Sequence, residues 1–188
     1  KSPAGGGAWN FISKQTASAD DTIDFTSGID DTYKEYMFTF KDIHPATDGT
    51  QFQFNMSIDS GSNYNVAKTS TYFQSQQSEA GGGPAVGYSG GNDLAQGTGF
   101  QDLGRYIGND NDQCCSGYLQ LFNPSSEIFV KHFISRISQA QQIGATSYCG
   151  DTYIAGYGNT TSAVDAIQFK ISSDEIDAGD ICLYGLTT

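Results

Sequence analysis

Positive charge is scarce in this chain: 9 Lys and Arg stand against 21 Asp and Glu in 188 residues, a net charge of −12. A surface so short of cations has no basic stripe to neutralise phosphates, which argues against nucleic-acid binding or adhesion to an anionic membrane. Charged residues of both signs reach only 16%, against roughly 25% in ordinary globular proteins, and this excludes a coiled coil. No run approaches the ~18 apolar residues of a membrane helix, so membrane insertion is not expected.

Cysteine is also sparse. The four are Cys114, Cys115, Cys149 and Cys182, with no C-x-x-C pair and only His44 and His132 to help. A zinc framework is therefore missing, and four cysteines are few for a disulfide-stapled scaffold. Cys114, Cys115 and Cys149 lie in Gly-, Asn- and Gln-rich segments, where one loop-to-loop disulfide has room to form. The plainer reading is free thiols, with Cys182 a small buried hydrophobe in the last strand.

Glycine (23 residues) and the pair Phe plus Tyr (12 and 11) dominate what remains. An aromatic content of 13% is too high for a disordered chain. Of the 21 acids, 17 are Asp, a turn and cap residue rather than a helix former. Residues 1–7 read as a flexible linker or truncated N-terminal extension. Residues 8–188 read as a single domain.

Period-two alternation, the mark of strands with one buried face, recurs along that domain. It is cleanest where Phe52, Phe54, Met56 and Ile58 alternate with Gln51, Gln53, Asn55 and Ser57. A similar pattern covers Tyr33–Asp42, and the intervening His44-Pro45-Ala46-Thr47-Asp48-Gly49 predicts a β-hairpin. Further strands are expected at Ala8–Thr16, Ile23–Phe25, Phe100–Ile107, Tyr118–Phe122, Glu127–Ile137, Thr152–Tyr157, Ala166–Ile171 and Ile181–Leu186. Gln139–Ile143 reads as one helical turn. Residues 74–99 carry Gly81-Gly82-Gly83-Pro84 and five further glycines, which predicts a long surface loop. The expected fold is an all-β antiparallel sandwich of about ten strands, a jelly roll.

Catalytic patterns fail one by one. Gly87-Tyr88-Ser89-Gly90-Gly91 matches G-x-S-x-G, but neither the preceding strand nor the following helix of a nucleophile elbow is in place. Asn109-Asp110-Asn111-Asp112 invites calcium, yet an EF-hand from Asp110 needs Gly and Glu where Cys115 and Leu121 stand. A looser loop-bound calcium remains open; no other cofactor is expected. Glycoside hydrolysis needs a paired acid and base, and Glu35, Glu79, Glu127 and Glu175 all fall at strand edges or turns. His132, inside an alternating run, reads as structural. What stands out is the number of Tyr, Asn, Gln, Ser and Gly residues in the expected loops, Tyr64, Tyr88, Tyr148, Tyr153 and Tyr157 among them. Such loops on a rigid sandwich make adaptable recognition surfaces. Tyr88, Asn92, Asp93, Tyr148 and Asp151 are the expected receptor or partner contacts.

Several strings have a collective resemblance: Thr22–Asp30, Asp42–Gly49, Gln96–Gln101, Leu121–Ser126, Val130–Phe133, Asn159–Asp165 and Leu183–Leu186. Their order resembles that of small virion proteins from tailed phages of marine and freshwater bacteria. The resemblance implies a non-enzymatic protein of the virion, associating with itself as a homotrimer and with other virion proteins. As a tail-fibre or appendage module it would attach to a host-surface receptor or glycan. A capsid-decorating protein is the alternative, and an extracellular carbohydrate-binding or glycan-active protein the third.

Overall fold

In a computed structural model, which describes residues Gly7–Thr187, the chain is all β-strand and turn. The linker expected over 1–7 lies, except for Gly7, outside the described residues. Twelve strands follow in order: β1 (Trp9–Asp20), β2 (Ile23–Phe25), β3 (Glu35–Pro45), β4 (Thr50–Ser57), β5 (Lys68–Ser78) and β6 (Ala85–Tyr88), then β7 (Gln101–Ile107), β8 (Cys115–Phe122), β9 (Lys131–Ile143), β10 (Thr146–Gly158), β11 (Ala166–Ile171) and β12 (Ile176–Leu186). All pairings are antiparallel.

One sheet runs β1-β12-β3-β8-β9-β10-β5-β6, and the other runs β2-β11-β4-β7. Setting aside β5, β6, β9 and β10 leaves eight strands. In chain order these make one sheet of first, eighth, third and sixth, and a facing sheet of second, seventh, fourth and fifth. That is the connectivity of a jelly roll, two Greek keys folded over one another. The four remaining strands extend the first sheet past β8 as a wing. The two sheets meet at a single ladder pair, Ile107 with Gln141, so the sandwich closes like a barrel on that side.

The core follows the alternation. Phe38 and Phe40 of β3, Phe52 of β4, Phe25 of β2 and Phe169 of β11 all point between the sheets and are buried. Phe169 is their hub: its ring centroid lies 5.2 Å from Phe38, 5.2 Å from Phe40, 5.8 Å from Phe52 and 6.1 Å from Phe25. Three of these contacts are edge-to-face and one is stacked, the geometries that ring quadrupoles favour.

The wing hairpin turns at Gly144-Ala145. Only the first of these residues has a positive φ (63°), as a type II′ turn requires. Close sheet packing depends on a second glycine. A Cβ on Gly117 would lie 2.1 Å from the Arg136 carbonyl oxygen and 2.9 Å from the Ile137 Cα.

Four local expectations need correction. β3 and β4 do not form a hairpin: β3 pairs with β12 and β8, while β4 pairs with β11 and β7. Both strands are hydrophobic on their inner faces, so burying them against each other from opposite sheets removes more apolar surface than pairing edge to edge. Gln139–Ile143 is the end of β9, not a helical turn. Residues 74–99 are not one long loop, because β5 runs to Ser78 and β6 spans Ala85–Tyr88. Cys182 lies on the outward side of β12, half-buried between buried Ile181 and Leu183; Cys115 is the buried thiol.

Candidate interaction face

The wing carries the chain's most unusual surface. Outward residues of its strands and of the adjoining β8 are in register across the sheet, giving one row of Tyr118, Arg136, Tyr153, Phe73 and Tyr88. Neighbouring rows read Gln120, Ile134, Ala155 and Thr71 on one side, and Ser116, Ser138, Asp151, Ser75 and Val86 on the other. Phe73 and Tyr153 are each 45% exposed, Tyr88 56% and Val86 70%. Most of the exposed large hydrophobic side chains lie on this wing or in the loop entering it, where Ile128 and Phe129 project. A shallow groove of about 490 Å³ runs along it, lined by Phe122, His132, Ile134, Ala155 and Tyr157 among others.

The charges on these rows cancel. Arg136 donates through Nε and Nη2 to the two carboxylate oxygens of Asp151, at 3.1 and 3.0 Å, and its guanidinium lies 4.6 Å from the Tyr153 ring centroid. Hydrogen bonding and charge from Asp151 hold the Arg136 pKa above its ordinary value.

Below the face, the wing's inner layer mixes the apolar side chains Tyr72, Phe133, Ile137 and Ile154 with polar ones. Ser70, Gln101, Ser135, Gln139, Gln141 and Thr152 are all buried there. The connection from β6 to β7 is stitched to this layer. Ser89 N–H donates to the Tyr72 carbonyl at 2.9 Å, and Lys68 and Gly97 exchange two backbone hydrogen bonds, at 2.8 and 3.0 Å. Asn92 is the centre of the connection. Its Nδ2 donates to Asp102 at 2.6 Å, and its Oδ1 accepts from Arg105 at 3.1 Å and from Ser89. Gln53 donates to the other Asp102 oxygen at 2.6 Å. Burial raises the Asp102 pKa, and these two amides and Arg105 oppose the rise.

Two lysines are buried without a carboxylate beside them. Lys68 Nζ donates to Asn55 Oδ1 at 2.5 Å and to the Val66 carbonyl at 2.8 Å. Lys131 Nζ donates to the carbonyls of Ser126, Phe129 and Thr160 at 2.6, 2.7 and 3.2 Å. Desolvation pulls the Lys68 pKa down to about 7 and lowers that of Lys131. Both are cross-strand partners of Gly158, at one end of the wing.

The expected contact residues separate into groups. Tyr88, Asn92 and Asp93 come together: Tyr88 ends β6 and its hydroxyl donates to the Asp93 carboxylate, although Asn92 is committed to Asp102. Asp151 lies on the outer face. Tyr148 shares the opposite side of β10 with Gly150 and Thr152, near the β5–β6 turn. Of the five loop tyrosines, only Tyr64 lies outside a strand; Tyr148, Tyr153 and Tyr157 are all on β10. Phe73, Val86, Ile134 and Arg136 were missed, and alternation about the buried positions of β5 and β9 is the signal that locates three of them.

His132 is exposed, with its ring 6.0 Å from that of Tyr157. The Asn109–Asp112 turn borders a second hollow with Asp42, His44 and Asp177. Among the described residues, no three His, Cys, Asp or Glu side chains converge to hold a metal ion, and all four cysteines are free. Compared with known proteins, the chain matches no family model and no curated protein.

Proposed function

We propose that this chain is a non-enzymatic virion surface protein of a tailed phage, a tail-fibre or appendage module that helps attach the particle to a host receptor or surface glycan. The observation that carries the attachment role is the pinned β6–β7 connection. It presents the exposed Tyr88 ring beside the Asp93 carboxylate at the rim of the wing, while Asn92, Ser89 and Arg105 hold the backbone behind them. An aromatic ring for stacking and carboxylate oxygens for hydroxyl groups are the parts a sugar site needs. Fixing them on a scaffold before binding saves ordering entropy. The phage assignment rests on the short strings quoted above, and a jelly roll is an architecture shared by viral and lectin domains.

Capsid decoration is the second reading, favoured by the broad neutral face of the wing, which suits contact with neighbouring subunits. Cryo-electron microscopy of intact particles separates the two. Density at the tail, with adsorption of the purified chain to host cells that falls on Tyr88→Ala and Asp93→Asn, supports attachment. Density over the whole head with no adsorption overturns it in favour of decoration.

A further inference from the structure

We propose that Arg105 determines the specificity of the attachment site, as a guanidinium fork for the carboxylate of an acidic sugar such as a uronic acid. This rests on the sugar-binding reading of Tyr88 and Asp93 and names the substrate class of the same site.

The chain has two arginines. Arg136 is committed to Asp151, whereas Arg105 makes no ion pair among the described residues. Its Nη1 donates to two neutral acceptors, Ser89 Oγ at 3.0 Å and Asn92 Oδ1 at 3.1 Å, and its guanidinium carbon lies 4.1 Å from the Tyr106 ring centroid. The orientation of the group is thereby set. The Nε and Nη2 edge has no acceptor among the described residues. Two parallel N–H groups on such an edge are what a carboxylate meets with both oxygens. The acids nearby are already engaged: Asp102 accepts from Gln53 and Asn92, and Asp93 from Tyr88.

The backbone is bent to place this side chain. Thr50 pairs with Ile107 and Phe52 with Gly104, so two residues of β7, Arg105 and Tyr106, face one of β4. Tyr106 takes a left-handed φ of 55°, rare for an aromatic residue. Buried glutamines replace the lost ladder bonds. Gln139 Oε1 accepts from the Arg105 N–H at 3.0 Å, and Gln141 Nε2 donates to the Arg105 carbonyl at 3.2 Å. The far ends of both amides, Gln139 Nε2 and Gln141 Oε1, are buried without a partner. A left-handed aromatic and two half-used amides are costs gathered at one residue whose charge serves no ion pair. Bulges and strain of this kind collect where a side chain is aimed at a ligand.

Ser89 and Asn92, which grip Arg105, are the chain neighbours of Tyr88 and Asp93, so ring, carboxylate and fork stand on or against one connection. The ring stacks on the sugar, Asp93 accepts from its hydroxyl groups, and the fork takes its acid. The body charge of −12 disfavours a polyanion. That selects glycans with isolated acidic residues over uniformly charged chains.

The test is titration of the full chain with galacturonate, galactose, galactose 6-sulfate and acetate, read by NMR at the Arg105 Nε–H and the Tyr88 ring. Galacturonate should move both signals and bind about tenfold more tightly than galactose. Galactose should move Tyr88 alone, and acetate should bind more weakly than galacturonate. Arg105→Lys keeps the charge and loses the fork, so it should bring galacturonate down to the affinity of galactose. Its melting profile and its galactose binding report on the fold, and the wild-type titrations decide independently of it. Galacturonate that moves Tyr88 without Arg105, or a folded Arg105→Lys that keeps the acid preference, overturns the fork and leaves attachment through Tyr88 standing. Acetate binding as tightly as galacturonate means an adventitious ion only and does the same. A preference for galactose 6-sulfate overturns the carboxylate. Tyr88 unmoved by every sugar overturns the sugar-binding reading itself, and the fork with it.

Discussion

Lys68 places its Nζ 2.5 Å from the Oδ1 of Asn55, and both side chains are fully shielded from water. A hydrogen bond to a neutral amide does not compensate for the hydration an ammonium gives up on burial, and that is why the Lys68 pKa falls to about 7. The unfolded chain therefore holds this proton up to pH ~10.4 while the folded chain has begun to release it near neutrality.

It follows that stability rises with pH between about 7 and 10, since the unfolded state binds more protons throughout that window. The destabilisation is fully present below pH 7. Urea unfolding at pH 7 and 9.5 should differ by on the order of 3 kcal/mol, with Lys131 adding in the same direction. Above pH 10 the trend reverses: burial raises the pKa values of Tyr64 and Tyr72, so their phenols ionise in the unfolded chain first. Lys68→Met should flatten the rise, and an unchanged slope in that variant would assign it elsewhere.

Phe169→Ala should be among the most damaging core substitutions. Four rings surround Phe169 from both sheets, so the void cannot close without moving them. A loss of about 3–5 kcal/mol is expected from denaturant unfolding. Ile58→Ala, at an exposed position just past β4, should cost less than about 0.5 kcal/mol.

Asn92→Ala should act locally. It strips Asp102 of one donor and Arg105 of one acceptor while Gln53 and Ser89 still pair with them, a loss of about 1–2 kcal/mol for hydrogen bonds to charged groups. Hydrogen exchange should accelerate across residues 89–99 while the amides of β3 and β12 keep their protection. Uniform acceleration would mean that Asn92 supports the whole fold.

Thiol labelling should resolve the cysteines in order. Cys149 is exposed and should react first in the native protein. Cys115 is buried, and burial raises its pKa, so it should react only on unfolding. Mass spectrometry of timed samples reads this directly.

Strand positions were largely legible because one face of each is buried: Phe52, Phe54 and Met56 point inward as their alternation requires. Partner choice was not, since β3 and β4 are neighbours in the chain that separate into different sheets, and period-two patterning is the same in both arrangements. Within the wing, β9 and β10 were legible in part, from Phe133, Ile137 and Ile154 on their buried sides, while β5 was not: it buries Lys68, Ser70 and Ser78 beside a single large apolar ring, Tyr72, and turns Phe73 outward. Of the expected contacts, Tyr88, Asn92 and Asp93 share one turn-rich segment and Asp151 lies on the outer face, while the aromatic row needed the register of five strands to appear.

The pairing of β1 with β12, from Trp9 against Leu186 to Asp20 against Ile176, has a mechanical consequence. Tension applied between Trp9 and Leu186 would pull neighbouring strands apart from one end, breaking their ladder one bond at a time. A pull on Trp9 directed along the axis of β1, with the rest of the sheet held, instead drags β1 lengthwise along β12, and the whole ladder resists in shear. Such a molecule bears force well when its first strand is pulled along its own axis, and poorly when β1 and β12 are drawn apart from their paired ends.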